Sequence, residues 1–340
     1  MNYIKFLIYF LFSKIILLSI YVSRLKKINL LYTSHFGFGD YLFFCVEIRE
    51  KLDSKTKIFC FSKLQNEIAS FFFDKKYIVN SYFLMPKFMS ESRIGYQLLS
   101  KNINFKPTNL KRITPDNSKI PISDWYEGTK DSIEFIKQKI DNSRISKALV
   151  EVFKKPTLCF FIKNFSKNKN NHLNFQVRQT RNLDKINELL KFLDKQKINI
   201  LVLGTQKDHF IQILENDMKT KNYNNIYLFK NLSEEFSIAD QAFSAYNSIG
   251  YVGSSTGTMG FFGLLDKKVV VVDAVSYYAD KYWSNFTFLY KKILNKKNEA
   301  LGVFIWKKYY DPKENKIIEN SYEDIKIAIE KKLINRIDVA

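Results

Sequence analysis

Gly253-Ser-Ser-Thr-Gly-Thr-Met-Gly260 sets four hydroxyl side chains and three glycines between two apolar runs, Ile249–Val252 and Val269–Val272. If a helix opens in this turn, its first N–H groups have no internal partners and lie at the positive end of the helix dipole. Such a place seats a phosphate-sized anion. Gly253, Gly257 and Gly260 allow close backbone approach, and Ser254, Ser255, Thr256 and Thr258 offer hydroxyls and an N-cap. The same residues also fit an ordinary strand-to-helix turn. A second candidate is Ser34-His-Phe-Gly-Phe-Gly-Asp40, where His35, Gly37 and Gly39 lead into a carboxylate. Asp40 is placed either to take a proton from a hydroxyl or to cap the helix that follows. Lys163 and Asn164, then Arg178, Arg181 and Asn182, form a third group, suited to holding a diphosphate leaving group or simply to solvation. Gly204, Thr205 and Gln206 close another strand and would flank a nucleotide base.

The elements that must position these loops alternate. Ile28–Thr33 reads as a buried strand, Ser34–Asp40 as a glycine loop and Tyr41–Leu52 as a helix. Strand 57–61, helix 64–73 and strand 77–84 follow, an alternation that predicts a parallel sheet. Between residues 86 and 146 the pattern weakens around Pro107, Pro115 and Pro121, with one helix expected over 129–140. A second series then predicts strands over 157–162, 198–203, 225–229, 249–252 and 269–272. Its helices are expected over 183–196, 208–218 and 233–246, with a closing helix over 322–333 free to cross back onto the first domain. The expected fold is α/β, two Rossmann-like domains at residues 28–150 and 151–320 facing a central cleft, with a C-terminal helix over 321–340. A ligand would bind between them, where the carboxyl ends of both sheets meet.

Composition narrows the partners. The 340 residues carry a net charge of +20 and are 46% hydrophobic, a globular balance that favours anionic partners. Lysines are spread through every segment without a basic and aromatic module, so nucleic acid is not an expected partner. Cys45, Cys60 and Cys159 lie in apolar patterns without paired spacing, and His35, His172 and His209 are scattered, so neither a disulfide framework nor a metal site is expected. Residues 3–22 are nearly all apolar apart from Lys5 and Lys14, and Arg24, Lys26 and Lys27 follow. A lysine mid-span costs about 2.5–3.5 kcal/mol, which favours a helix lying on an anionic membrane surface over one crossing it. Packing of this helix on the protein's own core is the other reading of residues 1–27.

The pair formed by Phe36-Gly-Phe-Gly-Asp40 and Val252-Gly-Ser-Ser-Thr-Gly-Thr-Met-Gly260 resembles bacterial heptosyltransferases and related two-domain, GT-B-type glycosyltransferases. In that family an early G-D loop supplies an acidic catalytic residue and a late G-x-D-T-G-P-M-H loop holds the donor's phosphates. Ser255, Thr258 and Gly260 stand where the family has Asp, Pro and His. The resemblance spans residues 28–273. It implies a metal-independent transferase without a cofactor, taking a nucleotide-sugar donor and a lipid-linked or polysaccharide acceptor at the cytoplasmic face of the inner membrane, in cell-envelope polysaccharide synthesis. Asp40 and Lys163 would then be catalytic. Arg181, Asn182, Gly204, Thr205 and residues 254–258 would bind the donor, and His35, Gly37 and Gly39 would lie on the acceptor side. An epimerase or hydrolase of the same architecture, or a non-catalytic sugar- or nucleotide-binding protein, fits the same features.

Overall fold

Runs of Val, Ile, Leu and Phe bounded by polar turns become strands, and stretches with apolar residues three and four apart become the helices that cover them. The computed structural model describes residues 29–31, 38–49, 52, 54, 56–60, 62–80, 130–164, 179–205, 208–220, 223–233, 237–275, 285–303 and 316–335. Two compact units, Met1–Trp125 and Tyr126–Ala340, divide the chain. The predicted apolar helix within residues 3–27 lies outside the described residues. Among the described residues no helix is long and apolar enough to cross a membrane.

In the first unit, β1 (Asn29–Leu31), α1 (Phe38–Ile48), β2 (Thr56–Cys60), α2 (Lys63–Phe72) and β3 (Ile78–Asn80) alternate. The strands form a parallel sheet in the order β1-β2-β3. Ser62 caps α2 by accepting the Gln65 N–H at 3.1 Å. The glycine loop predicted through Asp40 ends earlier, because α1 starts at Phe38 and takes Gly39 and Asp40 into its first turn. This start sets Tyr41, Leu42, Cys45 and Ile48 on one buried face, and a carboxylate in a first helical turn is favoured by the dipole.

The second unit opens with α3 (Lys130–Asp141) and α4 (Lys147–Val152). Next come β4 (Thr157–Phe161), α5 (Asp184–Asp194), β5 (Asn199–Val202), α6 (His209–Thr220), β6 (Ile226–Leu228), the single turn α7 (Phe229–Leu232) and α8 (Ile238–Asn247). The series ends with β7 (Gly250–Gly253), α9 (Met259–Leu264), β8 (Val269–Ala274), β9 (Phe286–Tyr290), β10 (Lys292–Leu294), β11 (Ala300–Val303), β12 (Lys316–Ile318) and α10 (Tyr322–Lys332). Strands β4 to β9 form one parallel sheet in the order β6-β5-β4-β7-β8-β9, and β10 to β12 a small antiparallel one. Strands β4, β5, β7 and β8 are buried almost throughout, as expected of a sheet covered on both faces. Each fully buried Val or Leu contributes about 1.5–3 kcal/mol, so this sheet is the unit's main store of stability.

The helix predicted from Ser233 starts instead at Ile238. Ser237 caps it by accepting the Asp240 N–H at 3.3 Å, and Ser233 is drawn off to donate to the Asp240 carboxylate at 2.6 Å. The closing helix packs on its own unit. Ile325, Ile329 and Leu333 of this segment join the core formed by Ile186, Leu189, Leu193, Val270 and Val272, and α10 lies against α5 and β8.

Candidate functional site

The sheet order reverses between β4 and β7. The chain runs outward from β4 through β5 to β6, then returns to the other side of β4 with β7. At such a switch point the loops leaving the two central strands diverge and open a crevice at their carboxyl ends, where open α/β sheets bind ligands. The loop after β4 carries Lys163 and Asn164, and the loop after β7 carries Ser254 to Thr258. Two of the predicted groups therefore meet at the switch point itself.

Hydrogen bonds fasten the two loops together. The Lys163 N–H donates to Ser254 Oγ at 2.9 Å, and the Ser254 N–H to the Phe161 carbonyl at 2.8 Å. Ser254 is buried, and its carbonyl accepts from the Tyr251 hydroxyl at 2.8 Å. Its side chain thus works as a stitch between the two loops. Gly253 is dictated by the same closeness: its φ is 152°, and a Cβ there would lie 1.9 Å from the Phe161 carbonyl oxygen. Burial pushes the Tyr251 phenol upward, with the neighbouring Thr256 hydroxyl pulling the other way.

Ser255, Thr256, Gly257 and Thr258 are half-buried, and their backbone N–H groups take no backbone partner among the described residues. The helix expected to begin in this turn is α9, which starts at Met259 and is only six residues long. Thr258 occupies its N-cap position without a side-chain capping bond; its hydroxyl instead lies 3.4 Å from Gln241 Oε1. Helix-dipole attraction is worth about 0.3–1 kcal/mol even for longer helices. A hydrogen bond to a charged group is worth about 1.5–3 kcal/mol, so turn N–H groups outweigh the dipole in any hold on an anion.

Gly204 and Thr205 sit after β5, on the other side of β4. Gly204 is buried with φ 131°, and a Cβ there would come within 2.9 Å of Phe161 Cε2 and Ile211 Cγ1, so packing explains the glycine. Asp208 accepts from the Thr205 N–H at 2.6 Å and from its hydroxyl at 3.0 Å, a turn that leads into α6. Arg181 and Asn182 are exposed ahead of α5, and both backbone N–H groups donate to the Glu319 carboxylate, at 2.6 and 3.1 Å. The Asn182 side chain accepts from the Asp184 and Lys185 N–H groups at 3.1 and 3.4 Å, and so acts as a local cap.

In the first unit, Gly39 and Asp40 lie in the first turn of α1, so Asp40 is inside the helix and not at the cap position. Its side chain, with His35, Gly37, Arg178 and Gln206, lies outside the described residues.

Sequence reading missed a buried charged cluster at the carboxyl end of β8. Lys185 Nζ lies 2.9 Å from Asp273 Oδ2 and 3.1 Å from Glu319 Oε2, and it also donates to the Asn320 carbonyl at 2.9 Å. Lys291 Nζ donates to the Gln179 carbonyl at 2.6 Å and lies 3.8 Å from Glu319 Oε1. Burial lowers the Lys291 ammonium, with Asp273 and Glu319 opposing the shift. Burial alone would raise Glu319, but Lys185, the Arg181 N–H, Lys291 and the Asn182 N–H together hold its carboxyl below the ordinary value. One signal was present in the sequence: Lys185 falls on the apolar face of its helix with Ile186, Leu189, Leu190 and Leu193, a position that demands a buried partner.

No family model and no curated protein matches the chain. Among solved structures it is similar to a glycosyl transferase family 9 protein from Veillonella parvula DSM 2008, with 12% identity and a TM-score of 0.48 over 77% of this chain and 85% of that one. It is also similar to an E. coli heptosyltransferase with ADP-2-deoxy-2-fluoro heptose, with 10% identity and a TM-score of 0.43 over 80% and 95% of the two chains. For E. coli ADP-heptose lps heptosyltransferase II the identity is 12% and the TM-score 0.36, over 74% of this chain and 72% of that one.

Proposed function

We propose that this protein is a glycosyltransferase that moves a sugar from a nucleotide-sugar donor to a lipid-linked or polysaccharide acceptor, without a metal ion or cofactor. The observation that carries the reading is the switch point of the second sheet. There the Lys163 backbone is bonded to Ser254, and the loop that continues through residues 255–258 leaves β7 beside the carboxyl end of β4. A departing nucleoside diphosphate needs its growing negative charge met by fixed donors, and in this reading the Lys163 ammonium and the turn N–H groups would supply them. Arg181, fixed in backbone by Glu319, adds a guanidinium whose fork suits phosphate oxygens.

Asp40 is the base in this reading, taking the proton from the acceptor hydroxyl as the sugar is transferred. It belongs to the first unit and the diphosphate site to the second. The acceptor would be presented at the cytoplasmic membrane face, with residues 3–27 on the anionic surface. A thermal-shift screen with ADP, GDP, UDP and their sugar conjugates tests the donor site. A bound diphosphate at 100 times its Kd adds about 2.7 kcal/mol to stability, and a flat response to all of them would overturn the reading. With the donor found, nucleotide release that depends on an acceptor is expected of a transferase, and Asp40→Asn should abolish it while donor binding survives. Release without any acceptor would point to a hydrolase.

A further inference from the structure

The charged cluster after β8 is joined to the switch point by one residue, Thr180. Its hydroxyl donates to Asp273 Oδ2 at 2.7 Å. Its backbone straddles the loop after β4: the Thr180 N–H donates to the Lys163 carbonyl at 2.9 Å, and its carbonyl accepts from Asn164 Nδ2 at 2.7 Å. Lys163 in turn donates its N–H to Ser254 Oγ. A continuous chain of hydrogen bonds thus runs from the end of β8, through Thr180, to the loops after β4 and β7.

Asp273 is built for this. It is buried and adopts φ 52°, a left-handed conformation that Asp and Asn tolerate better than other residues with a side chain. Both carboxylate oxygens are fully used: Oδ1 accepts from Lys185 at 3.2 Å and the Asn320 N–H at 2.7 Å, and Oδ2 from Thr180 and from Lys185 at 2.9 Å. The Asn320 side chain accepts the Asp273 N–H at 2.7 Å, so backbone and side chain are both held. A buried ion pair is a poor source of stability, since apolar residues of the same volume serve as well or better. Direction is what the pair adds: a carboxylate fixed on several sides accepts the Thr180 hydroxyl in one geometry only.

We infer that Asp273 is a positioning residue, which fixes the Lys163–Asn164 loop through the Thr180 hydroxyl and so sets how that loop meets an anionic ligand. The inference rests on the diphosphate reading of the switch point for its ligand, but the ordering of the loop stands by itself. Lys185 ties the anchor to Glu319, which holds the N–H groups of Arg181 and Asn182, so residues 180 to 182 are all held by two acids sharing one ammonium.

Thr180→Val is the test, because it removes the hydroxyl and leaves the Asp273–Lys185 pair intact; Thr180→Ser restores the hydroxyl and should behave as wild type. Amide exchange in the full chain, read at Lys163 and Thr180, should quicken at least tenfold in Thr180→Val and not in Thr180→Ser. The Kd of the diphosphate that binds the wild type, measured by calorimetry with ADP, GDP and UDP, should weaken about tenfold in the same variant alone. Unchanged exchange at Lys163 and Thr180 would overturn the inference. Quickened exchange with an unchanged Kd would overturn the role in ligand binding. If the wild type binds none of the three diphosphates, the reading of the site fails, and exchange alone decides whether Asp273 holds the loop.

Discussion

Glu319 shows at the level of one residue how the site is held. Its carboxylate accepts two backbone N–H groups and lies between two ammonium groups, and their combined pull keeps it ionised below the usual value of 4.5 despite burial. An acid with a depressed folded pKa contributes stability that is complete above its unfolded value and is lost as pH falls through the folded one. Urea denaturation of the wild type should therefore show stability declining as pH falls below the ordinary carboxylate range. Glu319→Gln should cost about 1–3 kcal/mol at pH 7, since it leaves Lys185 and Lys291 short of a partner, and should flatten that decline. Parallel pH curves for the two proteins would show that Glu319 is not the titrating group. A second prediction concerns Gly253. Its added Cβ would overlap the Phe161 carbonyl, so Gly253→Ala must force β7 away from β4 and should cost about 3 kcal/mol or more in the same assay. Most residues of this kind were legible only in part. Gly253 and Ser254 stood out by type, but nothing local in the sequence showed that they also join two strands. The cluster of Lys185, Asp273, Lys291 and Glu319 left almost no local trace, because its members are brought together only by the sheet.

At the scale of elements, the second parallel sheet was readable nearly to the residue. The strand predicted over 269–272 is Val269–Ala274, and the helix predicted over 183–196 is Asp184–Asp194. Fully apolar strands and strongly amphipathic helices carry their period in the sequence. The edge strand β9 and the small β10–β12 sheet were missed, because β9 is half-buried along its whole length and β10 and β12 are three residues each. The destination of α10 was equally hidden, since an apolar stripe tells that a helix docks but not where. Its docking is testable. Ile329 is buried in the core of the second unit, whereas Ile327 on the same helix is 59% exposed. Ile329→Ala should lower stability by about 2–4 kcal/mol, and Ile327→Ala by less than about 0.5 kcal/mol, both measured by chemical denaturation. Equal effects would mean that α10 does not rest on β8 and α5 through that face.

For the whole molecule, the net charge of +20 and the segment 3–27 make one argument about place. Charge spread over the surface attracts any polyanion weakly and is screened beyond about 8 Å at physiological salt, so by itself it selects nothing. The segment differs in kind, because it couples about twenty mostly apolar residues to Arg24, Lys26 and Lys27. On the membrane reading proposed above, each basic side chain near an anionic surface would add about 1 kcal/mol, and burial of Phe, Leu and Ile among acyl chains would add a part that salt does not screen. The expected result is that the full chain co-sediments with vesicles containing about one third phosphatidylserine, binds neutral phosphatidylcholine more weakly, and keeps part of its binding at high salt. A chain lacking residues 1–27 should lose the salt-resistant part and retain only weak attraction that added salt removes. If the shortened chain binds as tightly as the full one at high salt, the segment is not the anchor.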